Sequence, residues 1–133
     1  MSAVAIRAAL ETALSGMAAL STAYENAPFT PVAGTAYQRV TVLFAEPDNS
    51  ETASNYVERG FMQVSLCYPL GTGSAAVAAR AELLRATFRR GLSFTSGSVS
   101  VWIIGTPEIT PGFVDGDRYI VPVRIRFYAS VEV

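Results

Sequence analysis

Histidine and lysine are both missing from this chain, and cysteine occurs once, as Cys67. Without histidine there is no Ser-His or Cys-His nucleophile system and no usual zinc site. A lone cysteine forms no intrachain disulfide and no thiolate cluster. Cys67 sits in a strand-like stretch and reads as structural rather than reactive. Charge is also scarce: 16% of the 133 residues are charged, against about 25% in an average soluble chain. No apolar run approaches the roughly 20 residues of a membrane-spanning helix, so no membrane partner is expected. The N-terminus has no basic n-region, and Arg7 and Glu11 interrupt its apolar run, so it is not a secretory signal. The product is expected to stay in the cytoplasm of the cell that makes it.

What is present is apolar. Half of the residues are hydrophobic and mean hydropathy is +0.31. Either the core is unusually rich, or apolar surface is buried between subunits. All ten basic residues are arginines, which suit interfaces because guanidinium is weakly hydrated and bonds in pairs; GC-rich coding gives the same bias. The net charge of −1 leaves no electrostatic footprint for nucleic acid, and sequence-specific binding is not expected. Residues 1–79 hold six acids and three arginines; residues 80–133 hold five acids and seven arginines.

Two helices are expected. Ser74–Arg90 follows the breakers Pro69, Gly71 and Gly73, and Gly91 stands where a left-handed stop favours glycine. Val77, Ala81, Leu84 and Phe88 line one narrow face; Arg80, Arg85, Arg89 and Arg90 are assigned to the outer face. Ser2–Leu20 repeats Ile6, Leu10, Ala13, Met17 and Leu20 at helical spacing, with Gly16 weakening its last turn. Tyr24–Ala36, with Pro28, Pro31 and Gly34, is a connector.

Strands are expected at Tyr37–Ala45, Glu58–Tyr68, Gly97–Gly105 and Arg118–Val131, each alternating in polarity. Leu92–Thr95 is a candidate short extra strand. Trp102 and Ile104 make the third of these apolar on both sides, as in a strand covered twice. Pro122 predicts an edge or a bulge in the last. Glu46–Val57 and Thr106–Asp117 read as polar or irregular loops, either solvated or docking. The expected fold is a two-layer α+β domain spanning 1–133, a mostly antiparallel twisted sheet of four to five strands packed with two helices.

Candidate chemistry is sparse. Gly71-Thr72-Gly73-Ser74 opens a helix N-terminus, but Ala76 occupies the third-glycine position of a dinucleotide loop and no P-loop lysine exists. Ser74 is a simpler N-cap. Asp115-Gly116-Asp117, with Glu108 nearby in sequence, offers carboxylates for acid–base work or a weak cation site; a D-G turn accounts for them as well. No cofactor and no metal is expected. Arg118, Arg124 and Arg126 share one face of the last strand, and Glu46, Asp48 and Glu51 are conceivable acidic counterparts.

Three segments, YQRVTVLFAEP at Tyr37–Pro47, GFMQVSLCYPLGTG at Gly60–Gly73 and PGFVDGDRYIVPVRIRFYA at Pro111–Ala129, give the chain its family likeness. In length and element order it resembles the tail terminator proteins of long-tailed, lambda-like phages. The resemblance implies a non-enzymatic virion protein, made in the bacterial host and placed on the tail of a phage or prophage. It implies a hexameric ring of self-contacts on the last tube ring, ending polymerisation and meeting the tail tube protein on one side and a head-completion protein on the other. The family has no fixed motif to carry residues over. The contact residues are therefore inferred: Arg118, Arg124 and Arg126 for ring or axial contacts, 46–51 as a docking loop, and the arginines of the second helix as an assembly face. The alternatives are a tail tube or head–tail connector subunit and, in a different class, a small-molecule-binding α+β domain or enzyme.

Overall fold

The computed structural model describes residues 2–17, 19–46 and 56–131. Its centre is three antiparallel strands whose alternating sequences turn one side to the core. β2 (Tyr37–Phe44) pairs with β3 (Tyr56–Pro69), and β3 pairs with β8 (Arg118–Val131) along all of its length, from Tyr56↔Val131 to Pro69↔Arg118. Across the three strands Val40, Val64 and Val123 line up, as do Val42, Met62 and Ile125. These six are buried, and they form the floor of the core.

The sheet is wider than the expected four to five strands. Among the described residues it has eight, in the order β1-β2-β3-β8-β5-β4, with β6 and β7 also paired to β8. The additions are short: β1 (Ser21–Ala23), β6 (Glu108–Ile109) and β7 (Phe113–Asp115); β4 (Ser93–Ser96) falls where Leu92–Thr95 is the candidate short strand, beside the expected β5 (Val99–Ile103). A strand of two or three residues shows no period, so tertiary pairing alone reveals it. β1 pairs parallel to β2, which makes the sheet mixed.

Pro122 lies inside β8 opposite Ser65, neither at an edge nor at a bulge. In an antiparallel strand a residue's N–H and C=O point to the same neighbour. The Pro122 carbonyl accepts from the Thr110 N–H at 3.0 Å and its hydroxyl at 2.8 Å. The missing donor therefore faces the short β6 side, and the long β3 ladder is undisturbed.

Both helices lie on the core face. α2 (Ala75–Thr87) delivers Val77, Ala81 and Leu84, and Phe88 follows at its C-cap; all four are buried, as their spacing requires. Ser74 stands at the N-cap position, but its side chain makes no capping bond. Gly91 does adopt a left-handed φ of 89°, three residues past the C-cap, where its N–H donates to Ile103. α1 (Ser2–Ser15) ends five residues earlier than expected, because the chain beyond it turns extended to pair as β1. Ile6, Ala9, Leu10 and Leu14 bury its inner side.

α1 packs on β4 and β5, while its Arg7 reaches Glu25 just after β1 at 2.7 Å. The curled sheet thus brings both of its margins to one helix. Glu25 in turn accepts the Val42 N–H at 2.7 Å, so a side chain continues on β2 where β1 stops.

Candidate assembly interface

Among the described residues, no helix lies on the second face of the sheet. Register places Arg39, Thr41 and Leu43 of β2 beside Ser65, Gln63 and Phe61 of β3, and these beside Pro122, Arg124 and Arg126 of β8. Trp102 of β5 sits opposite Tyr128 on the same side. Trp102, Ile104 and Leu43 are 41%, 44% and 45% exposed, so the double cover expected of β5 is not supplied by the described residues. A solvated sheet face ordinarily carries polar residues; this one carries arginines interleaved with aromatic and aliphatic groups. Arg124 lies 5.4 Å from the Phe61 ring centroid and donates to Gln63 at 3.3 Å. Arg126 pairs with Glu108 at 3.6 Å. Arg39, Phe61 and Gln63 were not singled out from the sequence, although strand alternation puts them on this side; only the register with β8 assembles them.

The connector covers one end of this face. Phe29 packs on Tyr37 with centroids 5.1 Å apart, and Arg118 stacks 5.1 Å from the same Tyr37 ring. Arg118 is buried and donates to the carbonyls of Thr35 and, at 2.7 Å, Val32. It shares a strand face with Arg124 and Arg126, as expected, but its guanidinium is turned inward as a clamp. Cys67 is buried beneath this cover, and burial pushes its thiol above the ordinary 9.0, away from thiolate chemistry.

Arg80 corrects the reading of α2. It is buried, not on the outer face. It follows Val77 by three residues and precedes Leu84 by four, which is the inner stripe. Its Nε and Nη2 donate to Gln38 Oε1 at 3.4 and 3.1 Å. Gln38 donates to Thr22 at 3.0 Å, and Thr22 to the Leu20 carbonyl at 2.9 Å. This relay ties α2 to β2 and β1. Burial pulls the Arg80 pKa below the ordinary guanidinium value. Arg85 is held by the Pro107 carbonyl at 3.0 Å and by Glu82 at 3.5 Å. Arg89 and Arg90 are exposed beyond the helix, and Glu46 is exposed after β2. Asp48 and Glu51 lie outside the described residues.

A family model for phage tail terminator proteins matches residues 5–127. The chain belongs to the phage tail terminator family. It is thereby a structural protein of the phage tail, which is not a class of enzyme. One solved chain, designated only by a number, shares 29% identity with this chain at a TM-score of 0.77, covering 100% of this chain and 98% of that one. A chain from the virion of a native gene transfer agent particle shares 18% identity at a TM-score of 0.68, covering 98% of each; at that identity the likeness is one of fold. No curated protein matches the sequence.

The acidic turn is a hairpin tip. Asp115 pairs with Arg118 at the start of β8, whereas Glu108 pairs with Arg124. Six residues of β8, about 20 Å, separate the two pairs. No group of three His, Cys, Asp or Glu able to hold a metal forms among the described residues. Gly116 has φ of 61°, so the D-G pair is used for the turn. Phe113 and Val114 beside it are 49% and 63% exposed.

Proposed function

We propose that this protein caps the phage tail tube, ends tube polymerisation and offers a surface for attaching the head, assembling with itself as a ring on the tube, a hexamer in this reading. The observation that carries this is the family match across 5–127; the uncovered, arginine- and aromatic-rich sheet face supplies a surface of the composition that protein interfaces favour. In this reading Arg124 and Arg126 are contact residues of that face. Arg89, Arg90 and Glu46 lie elsewhere on the surface and serve the axial partners, the tail tube protein and the head-completion protein, with Arg85 contributing its exposed end. The same reading retains the 48–51 stretch as part of a docking loop. Arg80 and Arg118 act indirectly, by holding the fold that presents these groups.

The test is tail length. A phage lacking this gene is expected to make tubes of uncontrolled length that fail to join heads, seen by electron microscopy; normal, head-joined tails would refute the cap. An Arg89→Glu/Arg90→Glu variant is expected to fold as the parent does and to complement poorly. A purified protein that instead polymerised alone into tubes would favour a tube subunit.

A further inference from the structure

We propose that the Asp115–Asp117 hairpin tip of one copy docks on the uncovered sheet face of the next, so that copies of this chain join head to tail. The inference rests on the self-association in the preceding reading, not on the tube. The sheet face exposes Arg39, Arg124 and Arg126 beside Glu108. Together these four groups sum to +2, so the rest of a chain of net charge −1 carries −3. The tip concentrates part of that deficit: Asp115 and Asp117 are both exposed. Asp117 keeps an 80% exposed side chain although Arg118 lies 3.9 Å away, because Arg118 is committed to the connector carbonyls. The two surfaces also match in apolar content. The tip carries exposed Phe113, Val114 and Leu70, and the face carries Trp102, Ile104 and Leu43.

Within one molecule the tip is out of reach of Arg124 and Arg126. Arg118, next to Asp117, and Arg126 are eight residues apart along β8, about 26 Å at 3.3 Å per residue. Because tip and face are different patches, contact between copies is heterologous, the kind that closes a ring or extends a filament rather than a two-fold pair. Nucleic acid is the less suitable occupant. Arg124 and Arg126 lie against Phe61, Gln63 and Glu108 rather than standing free for phosphates, and the exposed Leu43, Trp102 and Ile104 beside them are apolar.

The experiment uses two charge-reversed forms of the full chain, Arg124→Glu/Arg126→Glu and Asp115→Arg/Asp117→Arg, followed by sedimentation velocity. All four side chains are exposed, so circular dichroism should match the parent. The parent is expected to self-associate reversibly, and each variant alone is expected to sediment as a monomer. Mixing the two variants in equal amounts should restore association, since each tip then meets a face of opposite charge. A monomeric parent, a variant that associates like the parent, or a mixture that stays monomeric overturns the proposal. Retention of duplex DNA by the parent, lost in the Arg124→Glu/Arg126→Glu form, also overturns it in favour of a nucleic-acid face. The neutral form Arg124→Gln/Arg126→Gln guards against misfolding: it should associate more weakly than the parent, and parental association would count against the proposal. Restored association without tube capping would remove the cap and leave this contact standing.

Discussion

Gly60 shows how one side chain that is not there fixes the spacing of two strands. A Cβ at this position would stand 2.0 Å from the Leu43 carbonyl oxygen and 3.0 Å from the Phe44 Cα, both backbone atoms that the β2–β3 ladder holds in place. Gly60→Ala is therefore expected to destabilise the fold by about 1–3 kcal/mol, the usual cost of forced overpacking, measurable as a lowered urea midpoint. Glu25 works through charge. The Arg7 guanidinium, and then the Val42 N–H, hold its carboxyl below the ordinary 4.5. A carboxylate lowered on folding stabilises above its unfolded value and loses that contribution as pH falls through the folded one. Unfolding midpoints should therefore drop below about pH 4.5, and Glu25→Gln should flatten that part of the profile. Glu11 opposes it: burial raises its pKa despite Arg7 nearby, so it destabilises when charged and relaxes on protonation. Only the difference between parent and Glu25→Gln isolates the clasp.

The long elements could be read from the sequence, and the short ones could not. β8 runs over the fourteen residues whose alternation marked it, and the α2 stripe from Val77 to Phe88 is buried throughout. Each repeats its period several times, so the pattern outweighs local exceptions such as Pro122. β1, β6 and β7 hold two or three residues each, and they exist because β2 and β8 offer them edges. The open face was half legible for the same reason: alternation names one side of each strand, but only register joins Arg39, Gln63 and Arg124 across three. Arg80 departs from the outer face that its charge suggests, because its spacing from Val77 and Leu84 sets its side. Phe88 tests the stripe. It is fully buried, 5.4 Å from the Phe94 ring centroid. Phe88→Ala should cost about 3–5 kcal/mol, and the partly buried Phe94 should cost less. A double-mutant cycle on equilibrium unfolding should return about 0.5–1.5 kcal/mol of coupling between the rings; additive losses would mean that they pack independently.

At the level of the whole molecule the layers are unequal. One face of the sheet is sealed by two helices, and the other carries, among the described residues, a proline-bearing connector at one end. The connector is gripped in an unusual way, because Arg118 holds main-chain oxygens of Val32 and Thr35 and no side chain of the segment. Every residue type brings the same carbonyl, so the grip is indifferent to what the connector is made of but sensitive to its length. Val32→Ser and Thr35→Ala should leave the thermal midpoint almost unchanged, since exposed substitutions ordinarily stay within about 0.5 kcal/mol. Deleting Ala33 should lower it clearly, because the two oxygens would no longer reach one guanidinium. The segment bordering the assembly face can thus change its surface, and with it the partner it suits, without loosening the sheet beneath.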